Sequence, residues 1–179
     1  MPRIAPAKAG TGVQATLSAV KAKIGMVPNL FSTFAQSPVV LDGYVAFSDA
    51  LSKGVLTAVQ REIISLVIAQ ANECTYCLSA HTLMGKGAGL STDGIRKARE
   101  GKAEGAIDGA VAAFAYRVVE TRGHVTDADI AAARAAGLDD ARVIEVIANV
   151  AINVLTNYTN NVALTDIDFP KVDVALPRH

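Results

Sequence analysis

At 179 residues the chain fits one domain, or a compact pair of similar halves, and is long enough to bury a real core. Apolar residues make up 51% of it and aromatics only 5%, so Ala, Val, Ile and Leu must supply that core, a mixture that favours close-packed helices over a sheet. Seventeen basic and seventeen acidic residues cancel without forming a basic stripe, which argues against a nucleic-acid partner.

In chain order, residues 1–10 read as a loose arm without the apolar run of a secretory signal. Thr11 to Ile24 is predicted helical, with Leu17, Val20 and Ile24 on one face and a stop at Gly25. A turn at Met26–Pro28 precedes a short helix over Leu30–Ala35. Another helix is predicted over Val39–Leu51, stopped by Lys53-Gly54. Thr57 is the expected N-cap of Ala58–Ala71, which is apolar on most sides and therefore central. After a break at Asn72-Glu73 a helix runs from Thr75 to Lys86, closed by Gly87 and Gly89. Ser91 caps Thr92–Arg99, and Asp108–Thr121 is an Ala- and Val-rich helix. Thr126 with Asp129 approximates a capping box for Ala128–Ala136, and a last helix runs from Asp139-Asp140 to about Thr165. A Pro-containing tail, Phe169–His179, follows. No segment alternates with period two, so the expected fold is an all-α multi-helix bundle in a single domain. The apolar stretches Val111–Val119 and Val143–Leu155 are broken by polar residues and are too short to span a bilayer, so no membrane is expected as a partner.

Chemistry concentrates in the segment from Glu62 to His81. Its two cysteines, Cys74 and Cys77, are the chain's entire thiol content. Without an export signal the expected compartment is the cytoplasm, where a C-x-x-C pair reads as catalytic or metal-binding rather than as a structural staple. If Cys74 stands at a helix start, Cys77 and His81 follow on the same stripe, with Cys77 and His81 one turn apart. Unpaired N–H groups and the helix dipole stabilise a thiolate there, and an imidazole one turn away can take the thiol proton. Glu62, on the preceding helix, is costly to bury unpaired, and His81 is its natural partner. Two plainer readings stay open. The cysteines could be core residues, or they could bind zinc with His81 and a fourth ligand from Glu62, His124 or His179. Tyr76, between the cysteines, is expected to pack, and His124 to sit in a solvated loop.

Two further patterns stand out. Glu62-Ile-Ile-Ser-Leu-Val is echoed by Glu145-Val-Ile-Ala-Asn-Val, so residues 57–90 and 140–166 form a possible degenerate repeat with Asn157 and Asn160 in the cysteine positions. Asn149, Asn153, Asn157, Asn160 and Asn161 make a polar strip on the last helix. Its favoured role is a helix–helix or subunit contact through amide hydrogen bonds, with a substrate-lining role the lesser alternative. A mean hydropathy of +0.31 favours subunits that cover apolar patches, hence a homo-oligomer.

At Glu62, Cys74, Cys77 and His81 the sequence resembles the alkylhydroperoxidase D-like group of the carboxymuconolactone decarboxylase superfamily, whose redox signature is a Glu, eleven residues, then C-x-x-C-x-x-x-H. Val27-Pro-Asn-Leu-Phe, Asn157-Tyr-Thr-Asn-Asn and Asp166-Ile-Asp-Phe-Pro170 resemble its peroxidase-related branch. The resemblance implies an all-helical fold of that type, with the CxxC at the start of a central helix, assembled as a trimer or hexamer. It also implies a hydroperoxide substrate reduced through a cycling disulfide and an external dithiol donor. Cys77 would attack peroxide, Cys74 would resolve the product, and His81 with Glu62 would relay the proton. The alternatives are a disulfide reductase or thiol carrier, and a non-catalytic helical oligomer that senses redox state or binds metal. The best-known alkylhydroperoxidase has a second His between its cysteines, where this chain has Tyr76. The decarboxylase branch lacks the CxxC pair, so lactone decarboxylation is not expected. No haem or flavin motif is visible, and no cofactor is expected.

Overall fold

The protein is described here by a computed structural model covering residues 1–7 and 12–176. Among the described residues there are nine helices and no strands: α1 (Gln14–Ile24), α2 (Asn29–Phe34), α3 (Pro38–Leu51), α4 (Ala58–Ala71), α5 (Thr75–Ala88), α6 (Thr92–Arg99), α7 (Ala106–Glu120), α8 (Asp127–Ala135) and α9 (Asp140–Ala163). The expected helix start at Thr11 and the candidate ligand His179 lie outside the described residues.

Helix α4 is the hub, because its sequence is apolar nearly all round. Ile63, Ile64, Leu66, Val67, Ile68 and Ala69 are sealed, and α5, α6, α7 and α9 pack around them. Its start is fixed at the expected N-cap, Thr57, by a capping box the sequence reading did not foresee: Thr57 Oγ1 accepts from Gln60 N–H, and Gln60 Oε1 accepts from Thr57 N–H. Glu145 of α9 reaches the same end, its carboxylate accepting from the N–H groups of Val55 at 2.8 Å and Leu56 at 3.1 Å. The long α9 is thereby tied to the entrance of the hub.

The α4–α5 connection positions the cysteines. Asn72 ends α4, Glu73 takes a left-handed conformation with φ 51°, and Cys74 is the N-cap of α5. One αL residue is enough to reverse the chain, so α5 folds back along α4. Helix α5 continues through Gly87, past its predicted end. The true stop is Gly89, whose φ of 108° turns its N–H back to the carbonyls of Gly85 and Lys86.

Residues 1–7 and 166–175 are fastened to the bundle. Residues 1–7 are not the loose arm expected from their composition: Arg3 N–H donates to Ala163 O, Ala7 N–H to Ser32 O, and the Gln36 amide to Ala5 O. Residues 166–175 form a strap. Asp168 accepts from Asn29 N–H at 2.7 Å, Val172 N–H donates to Ser79 Oγ at 3.0 Å, and Gln70 and Arg99 donate to the carbonyl of Val174. These backbone-directed bonds leave no periodic signal in sequence, which is why the segments read as loose.

Candidate active site

Cys74 and Cys77 form a disulfide in the first turn of α5. Cys74 caps the helix through sulfur, its Sγ accepting from Cys77 N–H at 3.2 Å. Cys74 is fully sealed, whereas Cys77 retains 3% exposure, so whatever access the pair has is through Cys77. On its other side Cys77 Sγ receives the Asn160 amide of α9 at 3.4 Å.

His81 lies one turn beyond Cys77, and its Nδ1 meets Glu62 Oε2 at 2.9 Å. The two side chains are 18% and 13% exposed, enough to reach solvent through one opening while being shielded from most of it. A carboxylate accepts only, so Nδ1 carries the proton in this pair and Nε2 of the neutral ring is left as an acceptor. The four residues singled out by spacing therefore fall into two adjoining pairs: a disulfide at the helix start, and an oriented imidazole one turn further on.

Tyr76 does not face this group. Its hydroxyl accepts from Leu30 N–H at 3.2 Å, and its ring meets Phe169 edge-on at 5.6 Å. Burial, with the nearby Asp168 carboxylate adding to it, pushes the phenol far above the ordinary tyrosine range. Tyr76 thus anchors the CxxC turn to α2 and to the strap. His124 is exposed in the loop before α8, as expected. Among the described residues no group of three or more His, Cys, Asp or Glu is arranged to hold a metal.

A cavity of about 240 Å³ opens beside Glu62 and His81. Tyr44 and Ser48 of α3, Arg61 and Ser65 of α4, Met84 of α5 and Asn149, Asn153 and Thr156 of α9 contribute to its wall. Sequence reasoning missed Tyr44, which no local motif marks. Its ring is held by Phe31 and Phe34 of α2 at 5.6 and 5.1 Å. Burial, with the Glu62 charge adding to it, raises its phenol to about 12. The asparagine strip divides. Asn160 touches Cys77, the Asn72 amide donates to Asn157, and Asn161 donates to Asn72 O, which are the helix–helix contacts expected. Asn149 and Asn153 instead line the cavity.

Residues 38–121 match the carboxymuconolactone decarboxylase family. A peroxidase-related protein from Ralstonia eutropha JMP134, described as an alkylhydroperoxidase AhpD core, is similar in structure with a TM-score of 0.83 and 26% identity, over 93% of this chain and 92% of its own. A peroxidase-related protein from Silicibacter sp. TM1040 has a TM-score of 0.79 at 20% identity, over 88% and 85%. The debrominase Bmp8, solved with 2,3,4-tribromopyrrole, has a TM-score of 0.78 at 15% identity, over 92% and 91%, a likeness of fold alone. No curated protein matches the chain. The chain thus has the alkylhydroperoxidase D fold, and its residues 38–121, which hold Glu62, Cys74, Cys77 and His81, are similar to the carboxymuconolactone decarboxylase family.

Proposed function

We propose that the protein is a thiol-dependent hydroperoxide reductase that cycles the Cys74–Cys77 disulfide. The observation that carries this reading is the joining of a helix-start disulfide to a carboxylate-oriented imidazole one turn away. In the reduced protein His81 Nε2 takes the Cys77 proton, and Glu62 stabilises the imidazolium. The Cys77 thiolate attacks the terminal oxygen of the hydroperoxide and the O–O bond breaks. The alcohol leaves with a proton and Cys77 becomes a sulfenic acid. Cys74 displaces water from it to close the disulfide, and an external dithiol returns two electrons and two protons. The greater exposure of Cys77 and its place beside His81 favour it over Cys74 as the attacking sulfur.

The test is a count of free thiols before and after one equivalent of cumene hydroperoxide. Both thiols are expected to vanish within seconds, not at all in Cys77→Ser and more slowly in His81→Ala. Thiols that resist peroxide but oxidise with a small disulfide would replace this reading with the second one, a disulfide reductase or thiol carrier. The orientation of Tyr76 favours that second reading, because its hydroxyl is turned to Leu30 and no second proton carrier stands between the cysteines.

Assembly into trimers or hexamers is part of the proposal. It is supported by exposed apolar side chains such as Val39, Ile144, Tyr158 and Val162. Among the described residues no helix is long and apolar enough to cross a membrane.

A further inference from the structure

Besides the residues read from spacing, one side chain touches a reacting atom: Asn160, in the last turn of α9. The bundle holds that turn firmly. Leu164 takes a left-handed conformation with φ 50° and returns its N–H to Asn160 O, and Thr165 N–H donates to the same carbonyl at 3.2 Å. The neighbouring Asn161 Nδ2 donates to Asn72 O, beside the turn that carries the cysteines. Asn160 is 3% exposed, and its Nδ2 meets Cys77 Sγ at 3.4 Å. Among the described residues it is the one donor that reaches this sulfur.

The other end of the amide is unpaired. Asn160 Oδ1 is buried, and no donor among the described residues reaches it. Turning the amide over does not repair this, because Oδ1 would then face the lone pairs of sulfur and Nδ2 would lose the acceptor it has. A buried carbonyl oxygen without a donor is costly, so its place beside a redox sulfur calls for a state in which a donor arrives.

A disulfide sulfur is a weak acceptor, whereas a thiolate is a charged one, and hydrogen bonds to charged groups are about twice as strong. The Asn160 N–H therefore gains most when the bridge opens and Cys77 loses its proton. Charge near the sulfur comes from His81 and Glu62. Residues 156–163 of α9 include no charged side chain, so the amide is what this helix offers. When the thiolate takes the terminal oxygen of a hydroperoxide, the sulfur gains an S–O bond and, as the sulfenic acid, an O–H donor. Oδ1 shares its carbon with the Nδ2 already bonded to Sγ, so that O–H forms within its reach.

We propose that Asn160 is a further catalytic residue: Nδ2 holds the Cys77 thiolate, and Oδ1 holds the O–H of the sulfenic acid formed on the same sulfur. The first task needs only a bridge that opens; the second rests on the hydroperoxide reading above. Held as the neutral acid, Cys77 resists a second oxidation, in which the sulfenate takes another peroxide oxygen to become sulfinate and the peroxide leaves as alcohol.

The test uses Cys74→Ser, in which Cys77 is the one thiol left. The rate of alkylation by iodoacetamide is followed across pH, its midpoint reporting thiolate formation and its plateau reporting access. Asn160→Leu and Asn160→Ala are each expected to move the midpoint up by about one pH unit, a tenfold loss of thiolate below it. With Asn160 intact, its side-chain amide resonances in isotope-labelled protein are expected to shift through the thiol's own midpoint, which needs no variant at 160. An unmoved midpoint, or amide resonances that ignore the thiolate, would overturn the first task. Under excess cumene hydroperoxide the ratio of sulfinic to sulfenic acid, read by mass, is expected to rise about three- to tenfold in both Asn160 variants. An unchanged ratio would overturn the second task. A thiol that alkylates as expected but never reacts with peroxide would overturn the hydroperoxide reading and the second task, leaving Asn160 as the donor to the thiolate.

Discussion

His81 has two ring nitrogens with separate tasks, and the tasks can be tested apart. Glu62→Gln keeps a hydrogen-bond partner for Nδ1 but removes the charge that stabilises the imidazolium. It is expected to lower the rate of peroxide-driven thiol loss about ten- to a hundredfold, with His81→Asn at least as severe. Stopped-flow measurement with each variant fully reduced checks the order. Tyr76→Phe removes the acceptor of Leu30 N–H and leaves that group buried and unpaired. It is expected to cost about 1–3 kcal/mol of stability in a urea titration, with little change in thiol oxidation rate. Glu62, Cys74, Cys77 and His81 were legible in the sequence because their spacing maps directly onto two helices joined by a short turn. Tyr44 was not, since only the packing of α2 and α3 brings it to Glu62. The asparagines were visible as a strip, but which of them would face a cavity depends on the neighbours of α9, and sequence does not state those.

Side-chain caps set the starts of α4, α5, α6, α8 and α9, and α8 offers a clean measurement. Asp129 is held down to about 2 by Thr126 N–H, by Arg117 and by the Thr126 hydroxyl. A carboxyl with a depressed folded value contributes stability above its unfolded value of 3.8, and that contribution is lost as pH falls through about 2. The difference in Tm between the native chain and Asp129→Asn is therefore expected to be largest at pH 5 and to shrink as pH falls from 3.8 toward 2. At the α4–α5 turn Glu73 sits at φ 51°, where a β-branched residue is strained. Glu73→Val is expected to destabilise the protein by about 1–2 kcal/mol, whereas Glu73→Gly should be neutral or better. Helix α4 was predicted to its observed ends because its apolar run begins just after the N-cap Thr57 and stops at the Asn72-Glu73 break. Helix α5 was drawn too short because a glycine inside a helix and a glycine that ends one look alike until a φ is known.

For the whole molecule, burial converges on α4. Leu66 and Ile68 are fully sealed among four other helices, so Leu66→Ala is expected to cost about 2–5 kcal/mol, measurable by denaturant titration. Light scattering should return the mass of three or six chains if the exposed apolar side chains of α3 and α9 are covered by copies. The helical class was legible from composition and period alone. The fastening of residues 1–7 and of the 166–175 strap was not, because those bonds run largely to backbone atoms and carry no residue pattern.

The chain has no tryptophan and four tyrosines, and one of them, Tyr76, stands between the two cysteines. Disulfides accept electrons from excited phenols at short range, so the oxidised protein should emit weakly near 76 and brighten when the bridge opens. The redox state of an unlabelled sample could then be followed by ultraviolet emission during turnover, with Tyr76→Phe as the dark control.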